Sequence, residues 1–319
     1  MATHVQSGSV QAPRGDPPAL LSGRGQGRGR VRTRDLGPAT LFIAPALLGF
    51  LVFFVWPALR GFYFSLTDWD LLGSASFVGA ENYKALLNDT QFWHSLAITA
   101  EYVVINIGLQ TLLALGLAVL LHRLTTSTVI RGIVLLPYLI PNVVVALMFL
   151  WMLDYSLGFG NQVIAWTGLD RVPFLGSEAW AIPTIAGINV WRHLGYTALL
   201  IFAGLQTVPK DVYEAAAIDG ASEWRVFTRI TLPLLRPVLA MVLVMTVIGS
   251  FQIFDTVAVT TEGGPADASK VVYFYIFEKA FAQFDFGYAS AMAVVLMALL
   301  AAVTFVQLRL MRAGESDLA

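Results

Sequence analysis

The 319-residue chain contains no cysteine, so disulfides, thiolate metal sites and cysteine nucleophiles are all excluded. It is also poor in charge: Asp, Glu, Lys and Arg make up 13% of its residues, about half the ~25% of ordinary soluble domains. No Gly-Lys pair occurs anywhere, which removes the P-loop and with it direct ATP hydrolysis by this chain. His4, His94, His122 and His193 never fall at i, i+4, and HExxH and GxSxG are absent. No metalloprotease or serine-hydrolase constellation can be assembled from these residues, and neither a catalytic residue nor a metal site is expected.

What the chain has in abundance is apolar surface. Hydrophobic residues reach 57% and the mean hydropathy is +0.69, the composition of a polytopic membrane protein. A helix needs about 20 apolar residues to cross a hydrocarbon core of about 30 Å. Counting between charges gives uncharged runs at 36–59, 132–153 and 286–308. The run from Arg236 to Asp255 is shorter, and the one from Glu178 to Lys210 is interrupted only by Arg192 and His193. The expected fold is all-α, with six transmembrane helices at about 37–60, 98–121, 132–153, 180–206, 237–259 and 287–308, inside a membrane domain of 36–312. The first run is too long and too far from the start to be an ordinary cleaved signal, and is expected to be retained.

Positive flanks stay cytoplasmic. With the N-terminus inside, fourteen of the 20 basic residues fall on cytoplasmic segments: six arginines before residue 35, then Arg123, Arg131, Lys210, Arg225, Arg229, Arg236, Arg309 and Arg312. Both termini are therefore expected in the cytoplasm. Residues 1–35, rich in Gly, Pro and Arg, read as a disordered tail, and 313–319 as a short C-terminal tail. GRGQGRGRVRTR has the composition of a nucleic-acid-binding arm, but beside six spans a basic tail that fixes topology and touches anionic lipid is the better reading. No nucleic-acid partner is expected.

Polar residues inside the spans are the first candidates for function. Pro137 and Pro141 interrupt the third span, and Pro183, Gly187 and Gly195 the fourth. Such breaks persist in lipid only where neighbouring helices or a cavity satisfy the freed backbone groups, so these helices suit a pathway or close packing about equally. Arg192 lies near the middle of span four, where a charge costs at least ~2.5 kcal/mol on insertion scales, so it should face a cavity or a partner. A solute contact and a structural ion pair both fit it. Asp255 is a possible partner, but Arg192 lies roughly 14–18 Å deep while Asp255 sits near the outer end of span five, and this separation weighs against a simple pair. Gln252 lies one turn deeper than Asp255.

Between spans four and five stands a polar island, YEAAAIDGASEWRVFTRITLPLLRP, Tyr213 to Pro237. Pro209 suits the start of a helix, Gly220 its end, Ser222 the cap of a second helix with Glu223 in its first turn, and Pro233 a stop. The expected form is helix, glycine turn, helix, with Trp224 and Phe227 on one face and Ala215, Ala216 and Ala217 leaving room for another surface. A docking knob and a plain interfacial loop both satisfy these features.

Glu214-Ala215-Ala216, Asp219-Gly220-Ala221, Ile230, Leu232-Pro233 and Pro237 resemble the EAA signature of permease subunits of binding-protein-dependent ABC importers. FVGAENY (Phe77 to Tyr83), Asn189-x-Trp191, Thr261-x-Gly263-Gly264-Pro265 and FDFGYASAMAVVL (Phe284 to Leu296) resemble the branch importing disaccharides, oligosaccharides and glycerol phosphate. The resemblance covers about Ala39 to the end of the last span. It implies the type I permease fold, a loop at 209–236 that couples to a separate ATPase, and no catalysis by this chain. It also implies a second, different permease subunit, two copies of a cytoplasmic ATPase carrying ATP and magnesium, and an extracytoplasmic binding protein that delivers a sugar. No cofactor is expected on the chain itself, and its expected place is the cell (inner) membrane. By this likeness Glu214, Ala215, Ala216, Asp219, Gly220, Ala221, Ile230, Leu232 and Pro233 form the coupling segment. The same likeness puts solute contacts at Asn189, Trp191, Ser250 and Gln252. Arg192 and Asp255 are further pathway candidates, and Arg192 departs from the family pattern in a way that fits either a charged or unusual sugar or an ion pair. An ion-coupled secondary transporter using Asp255, Arg192 and His193 as a relay is the alternative. An intramembrane enzyme comes third.

Overall fold

A computed structural model of the chain describes residues 36–311. The expected tails at 1–35 and 313–319, and Arg312, lie outside the described residues. Among those residues the structure is helical, and the only strand-like feature is an isolated antiparallel bridge between Thr67 and Phe77.

Two units are described separately. The first ends at Val55 and holds α1 (Leu36–Phe50) and a π-helical turn, Leu51–Val55. Phe50 and Phe54 stack within it at 5.8 Å, and its large side chains from Leu41 to Phe54 are exposed, as a lipid-facing helix requires.

The second unit, from Trp56, holds α2 (Trp56–Phe64), α3 (Glu81–Leu87), α4 (Thr90–Leu124), α5 (Thr128–Leu139), α6 (Asn142–Met152), α7 (Phe159–Trp166) and α8 (Glu178–Leu205). There follow α9 (Lys210–Ile218), α10 (Glu223–Val226), α11 (Leu232–Leu234), α12 (Arg236–Phe251), α13 (Asp255–Thr260), α14 (Val272–Phe277) and α15 (Phe286–Met311).

Four stretches are long and apolar enough to cross a membrane: Leu41–Phe64, Thr90–Leu124, Arg236–Thr260 and Phe286–Met311. A fifth results if α5 and α6, bent by 86° at their junction, count as one. The expected six are not reached by this measure. The shortfall lies at α8, whose 28 residues give ample length but whose middle carries Asn189, Arg192 and His193. The break between α5 and α6 has a local cause. Pro141 brings no N–H to the Pro137 carbonyl, and the residue before a proline is driven out of helical geometry, as Ile140 is at ψ 133°.

Helix starts and close approaches follow from single residues. The Asp89 side chain accepts from the backbone N–H groups of Gln91 and Phe92 and so caps α4. It also accepts from the hydroxyls of Tyr275 (2.9 Å) and Tyr288 (2.6 Å), joining α14 and α15 to the start of α4. Gly195 lets α8 pass directly over the backbone of α5, where a Cβ would sit 1.8 Å from the Val134 carbonyl oxygen.

The interior forms two apolar clusters. One gathers Phe92, Tyr102, Ile185, Val257, Val272 and Met292, and the other Ala114, Ala118, Leu121, Ile201, Leu235 and Val242. On α4 the residues between the two clusters include Asn106 and Gln110, and on α8 they include Thr197. A polar layer thus separates the two apolar clusters along these helices.

Candidate functional site

The polar layer is held by side-chain hydrogen bonds between three helices. Asn106 Nδ2 donates to Gln110 Oε1 (3.2 Å) and to Ser250 Oγ (2.9 Å), and Gln110 Nε2 donates to Thr197 Oγ1 (2.7 Å). Ser250 Oγ passes its own proton back to the Thr246 carbonyl at 2.7 Å. These groups are buried among apolar helices, where an unpaired donor is costly, and the network satisfies most of them. Asn106 Oδ1 is the exception, buried without a partner.

Beside this layer lies a cavity of about 220 Å³, lined by Asn106, Gln110, Asn189, Thr197 and Ser250 and by the rings of Tyr138, His193 and Tyr196. Tyr138 and Tyr196 stack nearly parallel, with centroids 4.3 Å apart and 10° between planes. The cavity therefore offers amide and hydroxyl groups on one wall and flat aromatic surface on another, the pairing that suits a molecule with both hydroxyls and C–H faces.

Of the six pathway candidates, Asn189 and Ser250 line this cavity. Trp191 lies off it, 39% exposed and edge-on to Phe149 at 5.3 Å. Gln252 ends α12 and is exposed. Asp255 opens α13, and its carboxylate accepts from Asn142 Nδ2 at 2.8 Å. Arg192 turns to the α5–α6 break: its Nε donates to the Ile140 carbonyl and its Nη2 to the Tyr138 carbonyl, each at 3.0 Å. Asn106, Gln110, Tyr138, Tyr196 and Thr197 also line the cavity and are not among the candidates that the sequence offers. The available signal was the i, i+4 spacing of Asn106 and Gln110 in an otherwise apolar run.

The second site is the segment after α8. α9 ends in a Schellman motif: the Ala221 N–H bonds the Ala216 carbonyl (3.0 Å) and the Gly220 N–H bonds that of Ala217 (3.1 Å), with Gly220 in the left-handed region at φ +66°. Glu214, Ala215, Asp219 and Gly220 are exposed, Ala221 is half-buried, and Ala216 is buried. Tyr213 Oη lies 3.2 Å from Thr231 Oγ1 and ties the two arms together. Between them runs a groove of about 540 Å³ whose lining includes Ala215, Ala216, Asp219, Ala221, Arg225 and Ile230. Ile218 and Trp224 project into the surroundings at 87% and 73% exposure. An ion pair of 2.7 Å joins Arg123, at the end of α4, to Glu223.

Two expectations for this segment are corrected. Ser222 occupies the cap position of α10, but its side chain makes no capping bond. Pro233 does not stop the second arm: the chain passes through a π-helical turn, Phe227–Thr231, into α11, and Leu232 and Pro233 are half-buried there. A proline has no N–H to donate to the carbonyl four residues back, and here it stands directly after the wider π turn.

A chain whose described residues are helical and largely apolar, with an uncharged polar cavity between its helices and a helical hairpin following α8, has the architecture of a transport subunit. The chain belongs to the family described as binding-protein-dependent transport system inner membrane component, whose model matches residues 110–314. The trehalose/maltose transport system permease protein MalF of Thermococcus litoralis is 35% identical over 285 residues, covering 89% of this chain and 96% of that protein. The sulfoquinovosyl glycerol transport system permease protein SmoG of Agrobacterium fabrum is 35% identical over 291 residues, 89% of this chain and 94% of that one. Among solved structures, the bacterial alginate ABC transporter in complex with alginate pentasaccharide-bound periplasmic protein superposes with a TM-score of 0.77 at 22% identity, covering 89% of this chain and 98% of that one. That likeness shows the shared importer-permease fold. The chain is thus a permease subunit of an ABC importer and not an enzyme, ATP hydrolysis falling to a separate partner, and this replaces both the ion-coupled and the intramembrane-enzyme readings.

Proposed function

We infer that the chain forms one half of the translocation pathway of an ATP-driven sugar importer in the cell membrane. The observation that carries this reading is the mid-span cavity, where amides and hydroxyls of Asn106, Gln110, Asn189 and Ser250 face the stacked rings of Tyr138 and Tyr196. Amides pair with sugar hydroxyls and aromatic faces stack on pyranose rings. The names of the relatives, which are transporters of trehalose or maltose and of sulfoquinovosyl glycerol, support the same substrate class.

In this reading α8 and the bent α5–α6 pair complete six spans, both termini are cytoplasmic, and residues 209–236 face the cytoplasm. Glu214, Ala215, Ala216, Asp219, Gly220 and Ala221, backed by Ile230, Leu232 and Pro233, dock on the ATPase that binds ATP and magnesium. A second, different permease closes the other half of the path, and an extracytoplasmic binding protein delivers the solute. The rigidity that such coupling demands is supplied by the Schellman turn and the Tyr213–Thr231 contact.

Uptake into proteoliposomes holding this chain, its second permease and its ATPase tests the reading. Radiolabelled maltose or trehalose should enter only with internal or external ATP at the ATPase face and binding protein at the other. Entry that survives ATP removal but collapses with an uncoupler would sink it.

A further inference from the structure

Arg192 is the feature of the membrane interior that the transport reading does not absorb. Its surroundings account for all three sides of the guanidinium. Nε and Nη2 donate to the carbonyls of Ile140 and Tyr138, and Nη1 lies 2.9 Å from His193 Nε2. The two carbonyls are among those orphaned where α5 ends, because the chain turns away at Pro141 and offers no helical N–H groups to them. They also carry the negative end of the α5 dipole, where a cation is favoured. The guanidinium further sits 5.2 Å from the Tyr138 ring centre.

The contact with His193 fixes the protonation of that ring. A guanidinium only donates, so Nε2 must accept and the imidazole proton resides on Nδ1, which lies 3.0 Å from the Asn189 carbonyl and donates to it. His193 is therefore neutral where it lines the cavity. Every other polar group on the lining is an amide, a hydroxyl or a phenol, and Arg192 itself is not among the lining residues.

We propose that Arg192 is a positioning residue that clamps the open end of α5, holds Tyr138 against Tyr196, and leaves this half of the pathway uncharged and matched to a neutral polyhydroxyl solute. Its guanidinium is engaged by the Ile140 and Tyr138 carbonyls and His193 rather than turned to the cavity, so it is not a receptor for a sulfonate, phosphate or uronate. The clamp depends on the planar fork of the guanidinium, which reaches two carbonyls at once; an ammonium keeps the charge and loses the fork. The proposal rests on the cavity being the solute path.

The test uses the reconstituted importer with its binding protein, per inserted copy of this chain. Wild-type uptake is measured for maltose and trehalose as neutral probes, and for glucuronate and glycerol 3-phosphate as anionic ones. Neutral uptake with no anionic uptake is expected, and ATP-driven uptake of either anion overturns the proposal whether or not any variant folds. Arg192→Lys and Arg192→Gln should each lower the maximal uptake rate at least tenfold. Combining Arg192→Gln with Tyr138→Ala should do no more than the worse single change, because both act through the same wall. Near-wild-type uptake by Arg192→Lys, or independent losses in the double variant, would overturn the positioning role. Absence of uptake for all four probes by the wild type would instead count against the sugar-import reading itself.

Discussion

Gln110 Nε2 lies 2.7 Å from Thr197 Oγ1, a bond that ties α4 to α8 in the wall of the cavity. Interhelical bonds of this type in membranes average about 0.6 kcal/mol in double-mutant cycles, because the unfolded chain in lipid also finds partners. The Gln110→Leu and Thr197→Val pair should therefore show a coupling energy of about that size in denaturant unfolding of the purified chain. Maximal uptake should fall much more than stability does, since the same change strips hydrogen-bonding groups from the cavity. Unchanged uptake in the double variant would count against the cavity as solute path.

Gly195→Ala should be poorly tolerated. The new Cβ would lie 1.8 Å from the Val134 backbone oxygen, which is not the end of a flexible side chain and cannot swing aside. Relief requires α5 to move from α8, with an overpacking cost of roughly 1–3 kcal/mol. A lowered melting temperature of the detergent-solubilised chain, compared with Gly187→Ala where nothing lies within 4 Å, is the expected result.

Gly220→Ala places a side chain at φ +66°, which costs about 1–2 kcal/mol for a residue other than glycine. Because Gly220 is exposed and nothing crowds it, the chain should still insert and the spans should still pack. The strain falls on the turn that sets α9 against the following arm. Reduced stimulation of ATP hydrolysis by loaded binding protein, at normal expression, is the expected readout.

Asp89 gives the fold an acid limit. Burial alone would raise its carboxyl, but hydrogen bonds from Tyr288, Phe92 N–H, Tyr275 and Gln91 N–H outweigh it and hold the group below its ordinary value. A carboxyl depressed in the folded state stabilises fully above its unfolded value of about 3.9, and that contribution is lost as pH falls through the folded value. Melting temperature measured from pH 5 downward should therefore drop less steeply below about pH 4 in Asp89→Asn than in the wild type. An identical slope would show that the cap and the two tyrosines do not stabilise the charged form.

Most of the architecture could be read from spacing. Uncharged runs marked the long helices, Pro137 and Pro141 marked the break, and Gly220 marked the turn, because each depends on chemistry local to a few residues. The cavity was only partly legible. Asn189 and Ser250 were picked out, but Asn106 and Gln110 were lost in an apolar run, and their partners on α8 and α12 are 87 and 144 residues away in sequence. The partner of Arg192 was beyond reach for a different reason: it pairs with backbone carbonyls, which no side-chain pattern announces. Local propensity favours a stop at Pro233, whereas the chain continues past it after a π-helical turn, with Thr231 and Leu235 buried on either side.

The central claim is that ATP turnover on a partner, felt at Glu214–Gly220, changes access to the cavity between α4, α8 and α12. The cysteine-free chain permits a direct measurement through Met245→Cys, an exposed position on the cavity lining that takes no part in the hydrogen-bond network. Labelling by a membrane-impermeant maleimide, read on this chain by mass spectrometry, is compared from each side of proteoliposomes with and without ATP trapped by vanadate. Side-dependent labelling should change with nucleotide state, and the change should vanish when Glu214→Ala is added. Labelling indifferent to nucleotide, or still responsive with Glu214→Ala present, would contradict the account.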